Sequence, residues 1–509
     1  MRRETLLLLF LILVKFTLPF LLQHPVYELH RDEYLYYEQG QHLDLGYLEN
    51  PPLIGALAFV SSLFGGGIFW IKFWPALFGA ATLWITVLMV KELGGRLYAQ
   101  LLAALGILFS AYLRIHFLFQ PNFLDIFFWS LSAYFLIRLI KTTNNRYLYF
   151  LAGSVALGWY SKYSILFFIA SFFISLLATQ HRKLIANKHF WFAVLLGLAF
   201  ITPNILWQYF HNWPLFHHMQ ELQETQLQHL NKADFLKEQI LMLFPVTFLW
   251  LGGLVWLFKN DQFRIIAVCF LSIIFLIMLG SGKGYYALGA YPMVLAAGGV
   301  WAEKLTINRR WLRYAFAGII LLLSLPFIPV LLPMQKPTKM AAFNQSIGLD
   351  KLGLLRWEDG ENHPLQQDFA DMLGWKELTE KTEKLFFQQP DSVKTSTIVY
   401  CANYGLAGSM KYYAKDQYFR DKIISENGTF LLWISDRLYF KHMIFVDDEM
   451  PEKDDNVLKR FGAVDVVDSC TNPFSRQFNT KIFYFKNASD SALIIAANDI
   501  RQAKAKFGR

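Results

Sequence analysis

Two acidic residues, Asp32 and Glu33, stand side by side shortly after the first apolar segment of the chain. Adjacent carboxylates at this position could act as a general base, or as hard oxygen ligands for a divalent cation. Neighbouring side chains on a helix point about 100° apart, so that only one of the two can face a substrate. A solvated loop without a catalytic role explains the acids equally well from chemistry alone. We therefore predict Asp32 and Glu33 as catalytic candidates.

Three further polar residues lie beside or within apolar segments, at Asp125, Lys162 and Lys283. Asp125 is one helical turn inside such a segment, where a structural hydrogen bond is the alternative to a functional role. Lys283 stands between two glycines, which would let the backbone approach a phosphate, although the spacing is not that of a Walker loop. Lys162 could face the same phosphate, or could extend its amine to the membrane surface. We therefore expect Lys283 to contribute more than Lys162.

Acids and lysines gathered at one membrane face suit a lipid phosphate or pyrophosphate ester. The lysines would neutralise the leaving phosphate, and a carboxylate would receive the proton of the acceptor. Asp125, Lys162 and Lys283 are therefore predicted to bind substrate.

The elements that must position these residues are membrane helices. Of the 509 residues, 55% are hydrophobic and only 17% are charged, where a soluble domain would carry about a quarter charged residues. The apolar residues come in blocks, several of which reach the ~20 residues that span a bilayer. The net charge of +9 could indicate a nucleic-acid partner. The Lys and Arg residues lie in short loops between apolar blocks, however, which indicates membrane topology and no nucleic acid.

The apolar blocks predict about eleven transmembrane helices. The first runs from Thr5 to Leu22; no small-x-small cleavage site follows it, so we expect it to be retained. A shorter piece, Leu53 to Phe64, fits a helix at the membrane interface. The block at 147–178 is too long for one helix, and we divide it into two short spans near Lys162. The other blocks lie at about 68–90, 97–113, 123–140, 190–209, 239–258, 264–280, 285–302 and 312–332.

Basic residues alternate between rich and poor loops along the chain, which places the N-terminus in the cytoplasm. An odd number of spans then places the C-terminal part outside, whereas one span more or fewer would move it to the other side. We predict a transmembrane domain over residues 1–332, with a first outer loop at 23–67. Residues 333–509 are predicted to form an extracytoplasmic soluble α/β domain, referred to below as the tail.

The tail shows apolar runs that suggest strands alternating with helices. The helix is expected at 406–413. Cys401 and Cys470 could form a disulfide if the tail is extracytoplasmic, and two unpaired thiols are an equal alternative. The predicted strands are Thr395–Cys401, Thr429–Ile434, Tyr439–Val446 and Ile482–Phe485.

The chain resembles the bacterial membrane glycosyltransferases of family 39, which include the protein O-mannosyltransferases and the aminoarabinose transferase that modifies lipid A. The match is strongest in the first outer loop and extends, in order and spacing, over most of residues 1–300 and into the tail. The segments that carry it are Arg31–Tyr37, Leu45–Leu53, Gln120–Asp125, Leu157–Tyr163, Pro203–Trp207, Asn212–Pro214, Gly282–Tyr286, Tyr291–Pro292 and Tyr404–Gly408.

This resemblance implies the glycosyltransferase C fold, a polyprenyl-phosphate sugar donor, and an active site between the first outer loop and the helix bundle. Asp32 matches the catalytic or acceptor-facing aspartate of the family. Glu49 matches an acid that binds a divalent metal ion in the aminoarabinose branch. Asn50 stands where that branch carries a lysine. In this position the chain differs from the aminoarabinose branch, so the resemblance does not imply the same binding of the lipid. Asn50, Tyr285 and Tyr286 complete the expected substrate-binding residues.

We therefore predict an enzyme of the bacterial inner membrane. It would transfer a sugar from polyprenyl phosphate to a lipid, glycan or protein acceptor of the cell envelope, at the outer face and among membrane lipids. A transporter or flippase of a lipid-linked sugar is the alternative, although no internal repeat is visible and the polar clusters lie at one face. A non-enzymatic assembly partner that binds through its tail is a third hypothesis.

Overall fold

The computed structural model describes residues 3–225, 231–449 and 458–508, and its first part is a bundle of helices. Its helices are α1 (Arg3–Leu22), α2 (Arg31–Gln41), α3 (Leu53–Leu63), α4 (Ile68–Glu92), α5 (Leu97–Leu108), α6 (Tyr112–Ile115), α7 (Pro121–Thr142), α8 (Arg146–Ser161), α9 (Ile165–Leu177), α10 (Lys188–Phe210), α11 (Pro214–Thr225), α12 (Lys232–Met242), α13 (Thr247–Phe258), α14 (Arg264–Leu279), α15 (Tyr291–Leu305), α16 (Arg310–Ser324) and α17 (Ile328–Leu331). Short 3-10 helices span Gln180–Ala186, Phe244–Val246, Gly284–Ala290 and Leu325–Phe327.

The division of the block at 147–178 is confirmed, because α8 ends at Ser161 and α9 begins at Ile165. The block at 239–258 is not one straight span: α12 and α13 meet at an angle of 72°, at a break that contains Pro245. Proline has no N–H to donate and clashes with the preceding turn, which explains the bend. The block at 285–302 begins as a 3-10 helix and becomes α-helical only at Tyr291.

Five helices in the described part of the chain are long and apolar enough to cross a membrane. The number rises to seven if each of two bent helix pairs is counted as one span. Three more apolar helices, α3, α5 and α14, are shorter. The multi-pass character of the chain follows from these helices, while the count of about eleven spans stays a prediction.

The tail contains a five-stranded sheet flanked by helices. Its strands are β1 (Thr397–Cys401), β2 (Ile423–Ile424), β3 (His442–Asp447), β4 (Phe461–Ser469) and β5 (Lys481–Ala488), in the order β2-β1-β3-β5-β4. β1 pairs in parallel with β2 and β3, and β5 pairs antiparallel with β3 and β4. The helices are α18 (Pro337–Ser346), α19 (Gln367–Ala370), α20 (Trp375–Phe387), α21 (Asp391–Lys394), α22 (Tyr404–Tyr413), α23 (Gln417–Arg420), α24 (Phe430–Trp433) and α25 (Asp490–Ala505), with 3-10 turns at Leu349–Leu352 and Leu458–Arg460.

The predicted strand at Thr429–Ile434 is wrong, because this segment forms the short helix α24. Its run of apolar residues does not alternate, and a short apolar run cannot by periodicity alone be assigned to strand or helix. Here Phe430 and Leu431 are both buried, which a single turn of helix achieves. The strands around Thr397, Ile444 and Phe483 and the helix α22 are confirmed. β4 was missed because most of its residues are exposed.

The first outer loop and the tail share one hydrophobic core. Tyr34 and Leu35 of α2 and Ile54 of α3 are buried in the same cluster as Trp375 of α20 and Leu406 of α22. A domain division between residues 332 and 333 therefore separates segments that pack together in space. Cys401 and Cys470 are buried and are not joined by a disulfide.

Candidate functional site

Helix α2 places Asp32 in its first turn, and a capping box fixes where the helix begins. His30 is the N-cap residue: its Nδ1 accepts a hydrogen bond from the Asp32 N–H at 3.2 Å, and its own N–H donates to Glu33 Oε2 at 2.8 Å. Such a box satisfies two N–H groups that have no partner within the helix. The capping box thereby fixes the start of α2 and the backbone from which the Asp32 side chain extends.

Glu33 points into the protein core. Its carboxylate is fully buried and accepts hydrogen bonds from Lys72 Nζ at 2.6 and 2.7 Å and from the Phe119 N–H at 2.5 Å. Lys72 lies on α4 and Phe119 just before α7, so Glu33 ties α2 to two parts of the bundle. Of the two adjacent acids, Asp32 alone is directed away from the core, as the helical geometry required.

Asp32 is held from two sides. Its Oδ1 accepts a hydrogen bond from the hydroxyl of Tyr404 in the tail at 2.7 Å, and its Oδ2 accepts one from Gln120 Nε2 in the bundle at 2.9 Å. The Arg31 Nε lies 3.6 Å from Oδ1. The side chain is 22% exposed, which leaves the carboxylate accessible from one direction.

The charge state of Asp32 follows from these contacts. Burial would raise the pKa of Asp32, but His30, Arg31 and the Tyr404 hydrogen bond together bring that pKa below its ordinary value. The carboxylate is therefore ionised at neutral pH and can accept a proton.

A chain of hydrogen bonds connects Asp32 to Lys162. Gln120, whose amide donates to Asp32, accepts through Oε1 from Asn122 Nδ2 at 3.2 Å. Asn122 in turn accepts through Oδ1 from Lys162 Nζ at 2.6 Å. Pro121 stands between the two amides at the first position of α7, where proline is favoured because its missing N–H would have no helical partner. The start of α7 thus presents both amides on the path between the acid and the lysine.

The Lys162 amine also faces two aromatic rings and a second acid. It lies 4.3 Å from the ring centroid of Tyr286 and 5.4 Å from that of Tyr285. Asp125, which is buried, is close enough to interact with its charge. Within the described residues, Asp125 Oδ1 has no hydrogen-bond donor. The structure therefore brings together Asp32, Asp125, Lys162, Tyr285 and Tyr286, and their roles stay predictions.

Lys283 sits at the edge of this group, just before the 3-10 helix at Gly284–Ala290. Its charge interacts with Lys162 and with the acids Glu238 and Glu358. A Cβ on Gly284 would fall 2.1 Å from Glu238 Oε2, and the Gly284 N–H donates to that oxygen at 3.1 Å. The close backbone approach that this glycine allows is thus made by a protein carboxylate.

Glu49 and Asn50 lie where the first outer loop meets the tail. The Glu49 carboxylate accepts hydrogen bonds from the Thr429 N–H at 2.6 Å, from the Thr429 hydroxyl, and from Gln39 Nε2 at 3.3 Å. Asn50 exchanges two hydrogen bonds of 3.0 Å with Gln39. Both oxygens of Glu49 are thereby used by neutral donors.

The residues around Glu49 do not fit as the ligands of a resident metal ion. A divalent cation needs several oxygen or nitrogen ligands that converge on one point. In the ranges 3–225, 231–449 and 458–508, no three His, Cys, Asp or Glu residues are grouped in that way. The neighbours of Glu49 donate hydrogen bonds to its carboxylate, and the contact with Thr429 joins the first outer loop to the tail.

Two residues of the site carry a role that the sequence analysis did not assign. Lys72 is a charge inside an apolar block, which is itself a signal for a buried partner, and Glu33 is that partner. Tyr404 belongs to a segment that resembled the family, but its contact with Asp32 joins residues far apart in sequence, which pattern reading cannot foresee.

Residues 49–207 match the family model of the dolichyl-phosphate-mannose-protein mannosyltransferases. No curated protein matches the chain by sequence. The fold is similar to that of ArnT from Cupriavidus metallidurans bound to undecaprenyl phosphate, with a TM-score of 0.61, 12% identity, and coverage of 94% of this chain and 97% of ArnT. ArnT in the apo state gives a TM-score of 0.63 at the same identity and coverage.

The oligosaccharyltransferase of Archaeoglobus fulgidus in the apo form is also similar, with a TM-score of 0.50, 12% identity, and coverage of 90% of this chain and 70% of the other. At these identities, the solved structures show the fold. Together with the family model, they confirm the predicted resemblance, the glycosyltransferase C fold and the prediction that the chain is a glycosyltransferase.

Proposed function

We propose that this glycosyltransferase transfers a sugar from a polyprenyl-phosphate carrier to an acceptor of the cell envelope. The observation that carries the proposal is the hydrogen-bonded path from Asp32 through Gln120 and Asn122 to Lys162. The path holds a base, Asp32, and a cation, Lys162, in one hydrogen-bonded network. This arrangement is the one needed to activate an acceptor while a phosphate leaves.

In the proposed reaction, the acceptor hydroxyl oxygen attacks the anomeric carbon of the donor sugar while its proton passes to the Asp32 carboxylate. The bond between that carbon and the phosphate oxygen breaks, and polyprenyl phosphate leaves with the electron pair. Lys162 and Lys283 stabilise the charge that develops on the phosphate. If the acceptor is itself a phosphate, it is already an anion, and Asp32 then positions it without acting as a base.

The remaining predicted residues take supporting roles in this proposal. Asp125, Tyr285 and Tyr286 surround the Lys162 amine and orient it. Glu33 acts through the backbone of α2 and is a positioning residue for Asp32, where the sequence had offered it as catalytic. Glu49 holds the loop against the tail through Thr429, Asn50 binds Gln39 within the loop, and no step requires a metal ion at Glu49.

An apolar groove next to the site suits the carrier lipid. A cavity of about 160 Å³ lies between α8, α9 and α10, and its polar lining is minimal. Its lining on α8 runs from Leu148 through Val155 to Trp159, so it ends one turn before Lys162. A polyprenyl chain lying there would place its phosphate near that lysine. The similar ArnT structure, which was solved bound to undecaprenyl phosphate, supports the same class of ligand.

We place this site at the outer face of the bacterial inner membrane, with the tail outside. The asymmetry of Lys and Arg between alternate loops supports this orientation. The packing of the tail on α2 puts tail and site on the same side of the bundle.

Analysis of lipid-linked sugars in cells that lack the protein tests the proposal. A polyprenyl-phosphate sugar should accumulate, and its mass would identify the donor. Wild-type protein should remove it, whereas Asp32→Asn, present at the same level in the membrane, should not. Removal of the lipid by Asp32→Asn would instead favour a transporter or flippase, and absence of any accumulated lipid would contradict the donor class.

A further inference from the structure

Helix α22 of the tail lies directly against α2, which carries Asp32. Two glycines allow this approach. A Cβ on Gly405 would fall 2.5 Å from the Arg31 Cγ, and one on Gly408 would fall 2.9 Å from the Tyr34 Cβ. The two helices therefore meet backbone to side chain, with little room for relative movement.

The first residue of α22, Tyr404, is fixed by its own contacts. The side chain of Asn403, the N-cap residue, accepts a hydrogen bond from the Leu406 N–H at 3.0 Å. The Tyr404 N–H donates to Asn427 Oδ1 at 3.1 Å. Its ring lies 5.6 Å from the guanidinium carbon of Arg31, and its hydroxyl donates to Asp32 Oδ1 at 2.7 Å.

We propose that Tyr404 is a positioning residue for the transfer reaction, and that the tail completes the active site through it. This inference rests on the function proposed for Asp32. With Gln120 on one carboxylate oxygen and Tyr404 on the other, the carboxylate cannot rotate, and its exposed edge has a fixed direction. The Tyr404 hydroxyl also favours the ionised form of Asp32, because it donates to the charged carboxylate.

Other groups that face Asp32 also influence its charge state. They come from α2, from the tail and from the bundle, and they are His30, Arg31, Tyr36, Asp368 and Tyr285. A Tyr404→Phe variant leaves all of them in place and keeps the ring beside Arg31. It removes one hydrogen bond to the charged form of Asp32, so the pKa of Asp32 should rise.

Infrared spectroscopy of the full-length protein in lipid nanodiscs measures this shift without a substrate. The protonated carboxyl band of Asp32 is assigned by its absence in Asp32→Asn, and its midpoint is followed as the pH is lowered. Tyr404→Phe should move the midpoint upward relative to wild type. Tyr412→Phe is the matched control, since Tyr412 on the same helix donates to the Gly66 carbonyl at 3.1 Å and should leave the midpoint unchanged.

An unchanged midpoint in Tyr404→Phe, or an equal shift in Tyr412→Phe, would overturn the inference. If Tyr404→Phe does not insert, Asn427→Ala, which removes the acceptor of the Tyr404 N–H, should shift the midpoint in the same direction by less, and no shift there also overturns it. The measurement reports on Asp32 directly, so its outcome is separate from the accumulation of a donor lipid. A donor that accumulates with no spectral shift would leave the proposed function standing and remove Tyr404 from it.

Discussion

Asp32 and Lys162 lie at the two ends of a continuous path of three hydrogen bonds, in which the side chains of Gln120 and Asn122 are the intermediate links. The acid lies on α2 of the first outer loop, and the lysine lies between two helices of the bundle. Both amides come from the start of α7, where Gln120 is the N-cap residue and Asn122 lies in the first turn. The geometry of the candidate site therefore depends on how the first outer loop is seated on this helix end.

Breaking the middle of the path should impair the reaction. Gln120→Leu removes the donor to Asp32 Oδ2, and a hydrogen bond to a charged group contributes about 1.5–3 kcal/mol, roughly ten- to a hundredfold in rate. We expect donor turnover in isolated membranes to fall by that factor. Gln262→Leu is the control: Gln262 lies before α14 and donates to the Ile140 carbonyl at the opposite end of α7, and its loss should leave turnover normal. Normal turnover in Gln120→Leu would exclude the path from the mechanism.

The two lysines should differ in importance. From the sequence, Lys283 was expected to contribute more, but the structure joins Lys162 to Asn122 and to the two tyrosine rings, while Lys283 has Glu238 and Glu358 nearby. Lys162→Ala should therefore reduce donor turnover more strongly than Lys283→Ala. Lys141→Ala, at the other end of α7, serves as a control of equal charge change. A larger loss in Lys283→Ala would restore the order expected from the sequence.

The pair of Glu33 and Lys72 should be required for stability. Removing one member of a buried ion pair typically destabilises a protein by about 3–5 kcal/mol, because the other charge is left buried without a partner. Glu33→Gln and Lys72→Met should each lower the midpoint of thermal unfolding in detergent, and the double variant should lose less than the sum of the two. Asp391→Asn, which removes an exposed acid from its ion pair with Lys394, should not change the midpoint. Additive losses would indicate that the two charges are not coupled.

Glu28 lies where the first outer loop contacts the tail, and it should make the stability of this contact depend on pH. Its carboxylate accepts hydrogen bonds from the Gly374 N–H at 3.2 Å and the Lys376 N–H at 2.9 Å, but burial raises the pKa of Glu28 from 4.5 to about 7. The folded state therefore binds this proton more tightly than the unfolded state does. Its contribution to stability is complete below pH 4.5 and is lost as the pH rises to about 7.

The Glu28→Gln variant should flatten the pH dependence of the unfolding midpoint across this window. Wild-type protein should lose more stability between pH 4.5 and 7 than the variant does. Identical pH profiles for the two proteins would show that Glu28 does not determine the pH dependence of the unfolding midpoint.

Much of the helical architecture could be predicted, because long apolar blocks with basic loops leave few alternatives. The break at Lys162 was predicted for the same reason, since one helix could not hold so long a block. The bend in the block at 239–258 differs from the single straight span that was predicted, although Pro245 marks its place in the sequence. The helix at Phe430 could not be predicted, because a short apolar segment has no periodicity that decides its form.

The sequence indicates candidate residues of the site one by one, but not the contacts between them. Charges within or beside apolar blocks pointed to Asp32, Asp125 and Lys162, since such charges are costly unless they are used. Which of the two adjacent acids faces inward depends on Lys72, and the immobilisation of Asp32 depends on Tyr404 in the tail. Both are contacts between distant segments, which appear only when the chain is folded.

In the proposed reaction Asp32 activates or positions the acceptor, and donor turnover in membranes that contain Asp32→Asn measures this role. General base catalysis contributes about 10²–10⁴-fold, so turnover should fall by at least a hundredfold while the amount of inserted protein stays at the wild-type level. A phosphate acceptor, which needs no base, should give a smaller but measurable loss. Turnover equal to that of the wild type, with the variant correctly inserted, would show that Asp32 neither activates nor positions the acceptor and only contributes a charge where the first outer loop contacts the tail.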